Sequence, residues 1–420
     1  MIRLMIIADD FTGGLDTGVQ FARKGIRTRV VTDWQADYRE AADGCEVLVV
    51  VAESRHVTAC QAYDMVYRIV KKSAELQIPF IYKKTDSGLR GNIGAELSAV
   101  LDASGASCLP FLPSMPALNR VTRQGIHYID GVPVAESVFG KDPFEPVTES
   151  DVCRMIGSQS PVATEKGTAD ELPRGHGIWV IDAANDEDLL KAGQRLNEQG
   201  LLRVMAGCAG FAAVLPDLLG LKKGPEPVLP RLAPGLFVLC GSVNPITQRQ
   251  LAYAEKNGFL RRHILPEQKL ENGYFDSEAG QKALDGWKRT FEEAPWFILD
   301  ANDEDISNVQ SASYAREHQM DTEEVRRCIS GSLGRILPGL LESPVNKSLL
   351  ITGGDTLLEC MNRMRVRQME PLLEVFPGVV LSVFEAGGKA RYVITKSGGF
   401  GEETLLCDLK RLIETQACNK

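Results

Sequence analysis

The sequence predicts an α/β fold: two α/β domains with mostly parallel sheets and an interdomain cleft. Three observations carry that expectation. Short continuous apolar runs alternate with amphipathic stretches from end to end, and continuous runs, unlike alternating ones, mark strands covered on both faces. The 420 residues exceed one domain at roughly 150 residues each. The stretch 222–234 holds Pro225, Pro227, Pro230 and Pro234 without periodicity, so it continues neither a helix nor a ladder. We therefore expect domains over 1–221 and 235–420, joined by a semi-extended linker over 222–234.

In chain order, residues 4–8, 47–51, 80–82, 178–181, 236–239, 296–299 and 349–351 read as buried strands. Helical patterns lie between them at 57–76, 186–199, 245–257, 321–341 and 403–414. Such alternation favours parallel pairing. One segment departs from it. Residues 126–129, then Asp130-Gly131, then 132–134 read as a hairpin on an Asp-Gly turn, an antiparallel flap on the first domain.

Composition sets broad limits. With 44% hydrophobic and 25% charged residues, disorder, collagen and coiled coil are excluded. The 47 basic and 56 acidic residues give a net charge of −9, the wrong sign for gripping nucleic acid or an anionic membrane. A small anion still responds to local charge, because screening acts over about 8 Å. The ten cysteines are scattered, with no CxxC and no zinc spacing. Buried, reduced thiols and a cytoplasmic location are the expectation. The apolar start is broken by Asp9-Asp10, too early for a signal peptide, and no run approaches the roughly 20 residues of a membrane span.

Chemistry collects at strand ends, where open α/β sheets bind ligands. The first strand runs into Asp9, Asp10, Phe11, Thr12 and Gly13. A helix cap needs one carboxylate, so the second is surplus. Adjacent carboxylates repel anions and instead suit hydroxyls or a metal ion. After 80–82 comes Lys83, Lys84, Thr85, Asp86, Ser87, Gly88, Leu89, Arg90, Gly91 and Asn92. The lysine pair begins while the chain is still in the strand, an odd place for solvated charge. Arg90 offers a fork for a carboxylate and Lys84 a point charge; we read an anion site.

In the second half, three turns follow strands: Gly241-Ser242-Val243-Asn244, Gly353-Gly354-Asp355-Thr356 and Ser397-Gly398-Gly399-Phe400-Gly401. Glycines at a helix N-terminus let backbone N–H groups approach phosphate. One such turn is weak evidence; three within one domain indicate a phosphate-binding rim. The P-loop, the dinucleotide fingerprint, the protein-kinase signature set, HExxH and GxSxG are all missing from the sequence. Of the five histidines, His56 and His127 alone fall near the proposed cleft, and both read as structural or exposed.

The run from Ile7 to Gly13 resembles the opening of the four-carbon acid sugar kinase family. The same family is matched in order by Lys84 to Asn92, Pro113 to Arg120, Asp142-Pro143-Phe144 with Pro146-Val147-Thr148, and the turns at 353–356 and 396–401. The resemblance implies an N-terminal domain for a four-carbon sugar acid, a C-terminal domain for ATP, and phosphorylation of the 4-hydroxyl of threonate, erythronate or a 3-oxo-tetronate. The Lys-Thr-Asp-Ser form looks more like the threonate kinases. Two departures stand out: Gly88 where relatives usually carry Thr, and Leu118-Asn119 where a Gly precedes Arg120.

On this basis Asp10 and Asp86 are the candidate catalytic carboxylates. Asp9, Asp10, Thr12, Lys84, Asp86, Ser87, Arg90 and Asn92 are assigned to substrate, with Lys83, Arg120 and Arg123 adding positive charge. Ser242, Gly353, Gly354, Asp355, Thr356, Ser397, Gly398, Gly399 and Gly401 are assigned to ATP, with Mg²⁺ bridging its phosphates. No metal ligand is assigned. Partners are the sugar acid and ATP, with no nucleic acid and no membrane; a homo-oligomer is left open. A sugar-acid dehydrogenase or isomerase and a two-lobed sugar-acid sensor are the competing readings. Lacking the dinucleotide fingerprint weakens the first, and the sensor leaves the glycine turns without a task.

Overall fold

The computed structural model describes residues 2–41, 43–142, 145–304 and 308–418. They form two compact units, one running to Pro227 and one starting at Val228.

In the first unit the main strands are β1 (Leu4–Ala8), β2 (Thr28–Val31), β3 (Val47–Val51), β4 (Phe80–Lys84) and β5 (Cys108–Leu112). A flap follows, made of β6 (Arg120–Arg123), β7 (Ile126–Ile129) and β8 (Val132–Pro133), and then β9 (Thr164–Gly167), β10 (Gly177–Ile181) and β11 (Val204–Gly207). The main sheet runs β2-β3-β1-β4-β11-β5-β10-β9, parallel throughout. All five residues of β1 and of β3 are buried, as continuous apolar runs require. After β1 the chain goes out to β2, returns as β3 beside β1, and then crosses to β4 on the other side of β1. The switch of direction therefore falls between β1 and β4, where this architecture places ligands. Register sharpens it: Ala8 pairs with Val51 on one side and Lys84 on the other. The loops after β1, β3 and β4 thus leave from one level.

The flap holds the expected hairpin and one strand more. Asp130 (φ 50°) and Gly131 (φ 81°) turn β7 into β8, and Gln124 (φ 52°) with Gly125 (φ 74°) turns β6 into β7. Two left-handed residues in each turn match the twist of the flanking strands.

The second unit contains β12 (Leu236–Cys240), β13 (Leu260–His263), β14 (Trp296–Asp300), β15 (Ser348–Thr352), β16 (Gln368–Phe376), β17 (Val379–Ala386) and β18 (Lys389–Lys396). Their order is β13-β14-β12-β15-β18-β17-β16. Pairing is parallel from β13 to β18, whereas β17 runs antiparallel to both of its neighbours. Of the meander β16–β18, the sequence expectation holds only the strand before the turn at 397–401, which is β18; β16 and β17 are absent from it. The outer strand of the meander carries Glu370, Pro371 and Glu374 and is largely half-buried, so no continuous apolar run marks it. No helix among the described residues is long and apolar enough to cross a membrane.

Candidate active site

Three loops meet at the carboxyl ends of β1, β3 and β4. Asp10 caps the helix Phe11–Ala22: its Oδ1 accepts from the Gly13 N–H at 3.1 Å, and its Oδ2 accepts from Thr12 Oγ1 at 2.8 Å. Asp9 turns inward and is 2% exposed. Arg55, from the loop after β3, joins the two: its Nε and Nη2 donate to Asp9 Oδ2 at 2.8 and 2.6 Å, and Nη2 also reaches Asp10 Oδ1 at 2.7 Å. Lys84 approaches Asp9 Oδ1 from the far side at 3.4 Å. Gly13 makes room for this, since a Cβ there would lie 2.5 Å from Lys84 Nζ.

Electrostatics follow from that packing. Burial pushes the Asp9 carboxyl up, but Arg55 and then Lys84 outweigh it and hold it well below the usual carboxylate range. Lys84 moves upward for the mirror reason: burial disfavours its charge, and Asp9 and Asp10 more than compensate. Lys83 points to the other face of β4 and ion-pairs with Glu96 at 3.0 Å, both fully buried. Ser54 donates to the same Glu96 carboxylate. The lysine pair is therefore divided, Lys84 to the site and Lys83 to the scaffold beneath it.

Asp86 is bound to Arg90, whose Nε donates at 2.8 Å, Nη2 at 3.2 Å and backbone N–H at 3.3 Å. Despite burial, Arg90 and then Arg55 hold Asp86 well below the normal range. Arg90 also donates to Asp142 at 3.1 Å. Ser87 accepts from the buried Arg120, while Arg123 is exposed. Asn92 turns to the neighbouring loop, donating to Ser54 O at 2.9 Å and Val57 O at 2.8 Å; it fixes the segment that carries Arg55. A cavity of about 280 Å³ opens beside Arg55, Arg90 and Asn92, with Pro146, Val147 and Thr148 on its wall. Pro143 and Phe144 of the same motif lie outside the described residues. His127 is buried, with Nε2 2.9 Å from Ser87 O and Nδ1 3.0 Å from Thr122 Oγ1. His56 contacts Glu145 at 2.9 Å.

In the second unit the three glycine turns converge. Cys240, Thr352 and Lys396 are in register at the ends of β12, β15 and β18. A Cβ on Gly398 would lie 2.8 Å from Ser242 Oγ, and one on Gly241 would collide with Thr356 Oγ1 at 1.9 Å. Gly353 has φ 106° and precedes the helix Gly354–Arg363, exposing that helix start. Lys396 is buried beneath the last turn, and its Nζ donates to Thr247 Oγ1 at 2.9 Å, Ser397 O at 3.0 Å and Gly398 O at 3.1 Å. Asp355 is tied to Arg326 at 2.8 Å. Gly399 and Gly401 belong to the same turn, and Gln250 donates to Gly401 O at 2.8 Å.

Several residues of both sites escape sequence reasoning. Arg55 had one signal, its place just after a strand, but no motif. In the second unit the loop after β14 carries Asp300, held by Arg261 at 2.6 Å, and Asn302, whose amide donates to Ser242 O at 3.1 Å. Its Asp303 pairs with buried Lys269 at 2.7 Å. Among the described residues no group of three or more His, Cys, Asp or Glu side chains is placed to hold a metal ion.

Comparison with known proteins adds to this geometry. Residues 4–215 match the model of a sugar-binding N-terminal domain, and residues 237–406 that of a nucleotide-binding C-terminal domain. The chain is 29% identical to a D-threonate kinase of Salmonella typhimurium over 99% of this chain and 100% of the relative. It is 25% identical to a D-erythronate kinase of Heliobacterium modesticaldum over 100% and 99%. A 3-oxo-tetronate kinase of Pseudomonas fluorescens is 27% identical over 94% and 93%. Among solved structures, a Salmonella typhimurium LT2 protein shares the fold with a TM-score of 0.78, covering 98% of this chain and 100% of its own at 20% identity.

Proposed function

The chain belongs to the four-carbon acid sugar kinase family, and from that premise we propose that it transfers the γ-phosphoryl group of ATP to the 4-hydroxyl of a four-carbon sugar acid, threonate or erythronate. The observation that carries this reading is the charge cluster at the ends of β1, β3 and β4, in which buried and half-buried cations and carboxylates alternate within hydrogen-bond reach. A hydroxylated carboxylic acid offers both complements: an anionic end for cations and hydroxyls for carboxylates.

We assign the acceptor to the first unit and the nucleotide to the second. Arg90 and Lys84 take the acid's carboxylate, while Asp9 and the Asp10–Thr12 pair take hydroxyls. Ser242, Gly353, Gly354, Thr356 and the turn at 397–401 cradle the phosphates through backbone N–H groups, with Asp355 fixing the helix start through Arg326. Phosphoryl transfer asks mainly for positioning and charge stabilisation, so the carboxylate beside the attacking hydroxyl orients it and accepts its proton late. Of the two candidates we favour Asp10. Asp86 is held far down in pKa and accepts three N–H bonds from Arg90, which suits it to aligning that arginine. Mg²⁺ enters with ATP as its phosphate complex and is given no protein ligand.

The test is kinetic. Asp10→Asn should lower kcat by roughly 10²–10⁴-fold, the span of a general base, with KM for ATP little changed. Asp86→Asn should chiefly raise KM for the acid. Screening four-carbon acids of each configuration, with the 3-oxo acids, for ADP release identifies the acceptor. An Asp10→Asn enzyme within threefold of wild-type kcat refutes the assignment.

A further inference from the structure

Two guanidiniums of like charge lean on a single ring in the first unit. Phe139 is 7% exposed, and the guanidinium carbons of Arg90 and Arg120 each lie 5.1 Å from its ring centroid. That is inside the roughly 6 Å over which a ring face attracts a cation. Both arginines carry site residues: Arg90 holds Asp86 and Asp142, and Arg120 donates to Ser87. Like charges this close repel; Asp86 attracts both, and the ring adds a further attraction to each.

The ring is itself held in place. Val147 N–H donates to Phe139 O at 3.0 Å. The following residue, Gly140, lies so close to Ala135 O that a Cβ would sit at 1.9 Å, so the turn that aims Phe139 tolerates no side chain there. Gly88 also abuts the ring: an added Cβ there would fall 2.5 Å from Phe139 Cδ1 and Cε1. The departure noted in the sequence thus has a cause: a Thr at 88 and the ring at 139 cannot share this space. Gly88 and Phe139 are a matched pair.

We propose that Phe139 is a positioning residue for acceptor binding, a shared platform that sets Arg90 and Arg120 against the sugar acid's carboxylate, with Gly88 as the vacancy that admits the ring. The inference rests on the assignment of Arg90 to that carboxylate. It separates the ring's electrostatic face from its bulk, because leucine keeps apolar volume and loses the face.

The experiment measures KM for the four-carbon acid, KM for ATP and kcat in the full chain. Phe139→Leu should raise acid KM about tenfold, the loss of two cation–ring attractions of ordinary strength, with kcat and ATP KM within twofold. Phe139→Tyr, which keeps the ring, should stay within threefold of wild type. Gly88→Ala, which pushes the ring aside, should raise acid KM in the same direction, and should add nothing in a Phe139→Leu background. The proposal is overturned if Phe139→Leu leaves acid KM within twofold, if Tyr is as damaging as Leu, or if the Gly88 and Phe139 effects simply add. Should Phe139→Leu fail to fold, the Tyr and Gly88→Ala enzymes still decide it: a Gly88→Ala protein with unchanged acid KM sinks the idea. A wild-type chain that phosphorylates no four-carbon acid takes down the kinase reading and this inference together. A wild type that does so, beside variants that bind acid normally, removes this inference alone.

Discussion

Replacing Arg55 by methionine tests the physical core of the candidate site, because this one guanidinium bonds two carboxylates at once. It donates to Asp9 at 2.6 and 2.8 Å and to Asp10 at 2.7 Å, with Asp86 at 3.9 Å. Methionine keeps much of the length and apolar stem but leaves Asp9, 2% exposed, facing Lys84 at 3.4 Å. Stranding one half of a buried ion pair costs about 3–5 kcal/mol. Because Lys84 remains, the lower end applies, and about 3 kcal/mol corresponds to a fall of roughly 6–12 °C in Tm for a unit of this size. Thermal and urea unfolding of the full chain at pH 7 reads it, and the transition to follow is that of the first unit. Removing both charges should hurt less than removing one: Arg55→Met with Asp9→Asn should show a coupling of at least about 1 kcal/mol. The pH dependence has a definite sign. Asp9 titrates lower in the folded protein than its ordinary 3.8, so its contribution is complete above about pH 4 and is lost as pH falls through the folded value. The acid-side slope should therefore shrink in Arg55→Met. A loss under 1 kcal/mol, with no coupling to Asp9, would refute the reasoning.

Two further outcomes are expected. Burial, and then the nearby charge of Arg120, hold His127 at about 4 against an ordinary 6.5; the unfolded chain binds this proton first, so stability should fall by on the order of 3 kcal/mol as pH drops from about 6.5 to 4. His127→Gln should flatten that window in pH-dependent unfolding, and an unchanged slope would exclude His127 as its source. In the second unit, Gly241→Ala drives a methyl into Thr356 Oγ1 at 1.9 Å. It should raise KM for ATP at least about fivefold, with acid KM unchanged, at the 1–3 kcal/mol usual for overpacking. Equal effects on both substrates would contradict the assignment.

What could be seen in the sequence was whatever announced itself locally. Strands β1, β3, β12 and β15 are covered on both faces and so read as unbroken apolar runs. Strands β13, with Leu-Arg-Arg-His, and β16, with its two glutamates and a proline, are only partly buried and carry no such run. The Asp9-Asp10 and Lys83 to Arg90 clusters were legible because the residues are consecutive. Arg55 was not, since its partner Asp9 is 46 residues away and only the register of β1 with β3 brings them together. Nor could spacing divide Lys83 from Lys84: adjacent strand residues point to opposite faces, and which face holds Glu96 depends on how a helix packs. Gly88 reads in sequence as a missing hydroxyl; in three dimensions it is a space occupied by Phe139.

The charges of the first unit also show how an acidic protein can receive an acidic ligand. Lys84, Arg55 and Arg90 are paired with Asp9, Asp10, Asp86 and Asp142, whereas at Arg120 burial outweighs the charge of Asp86 and pushes the guanidinium down. Lys84, Arg55 and Arg90 thus each already hold a carboxylate, which is what the cost of burying a lone charge demands. An incoming carboxylate must then exchange with a resident one, and exchange is easiest where both residents already meet water. Arg90 and Asp142, with side chains 26% and 18% exposed, satisfy that condition; Arg55 and Asp9, at 8% and 2%, do not. The cluster thus divides into a closed layer, Arg55 with Asp9, that sets the geometry of the strand ends, and a more open layer around Arg90, where the proposed acid's carboxylate would exchange. The net charge of −9 bears on neither, because each layer is decided within a few ångströms, well inside the screening length.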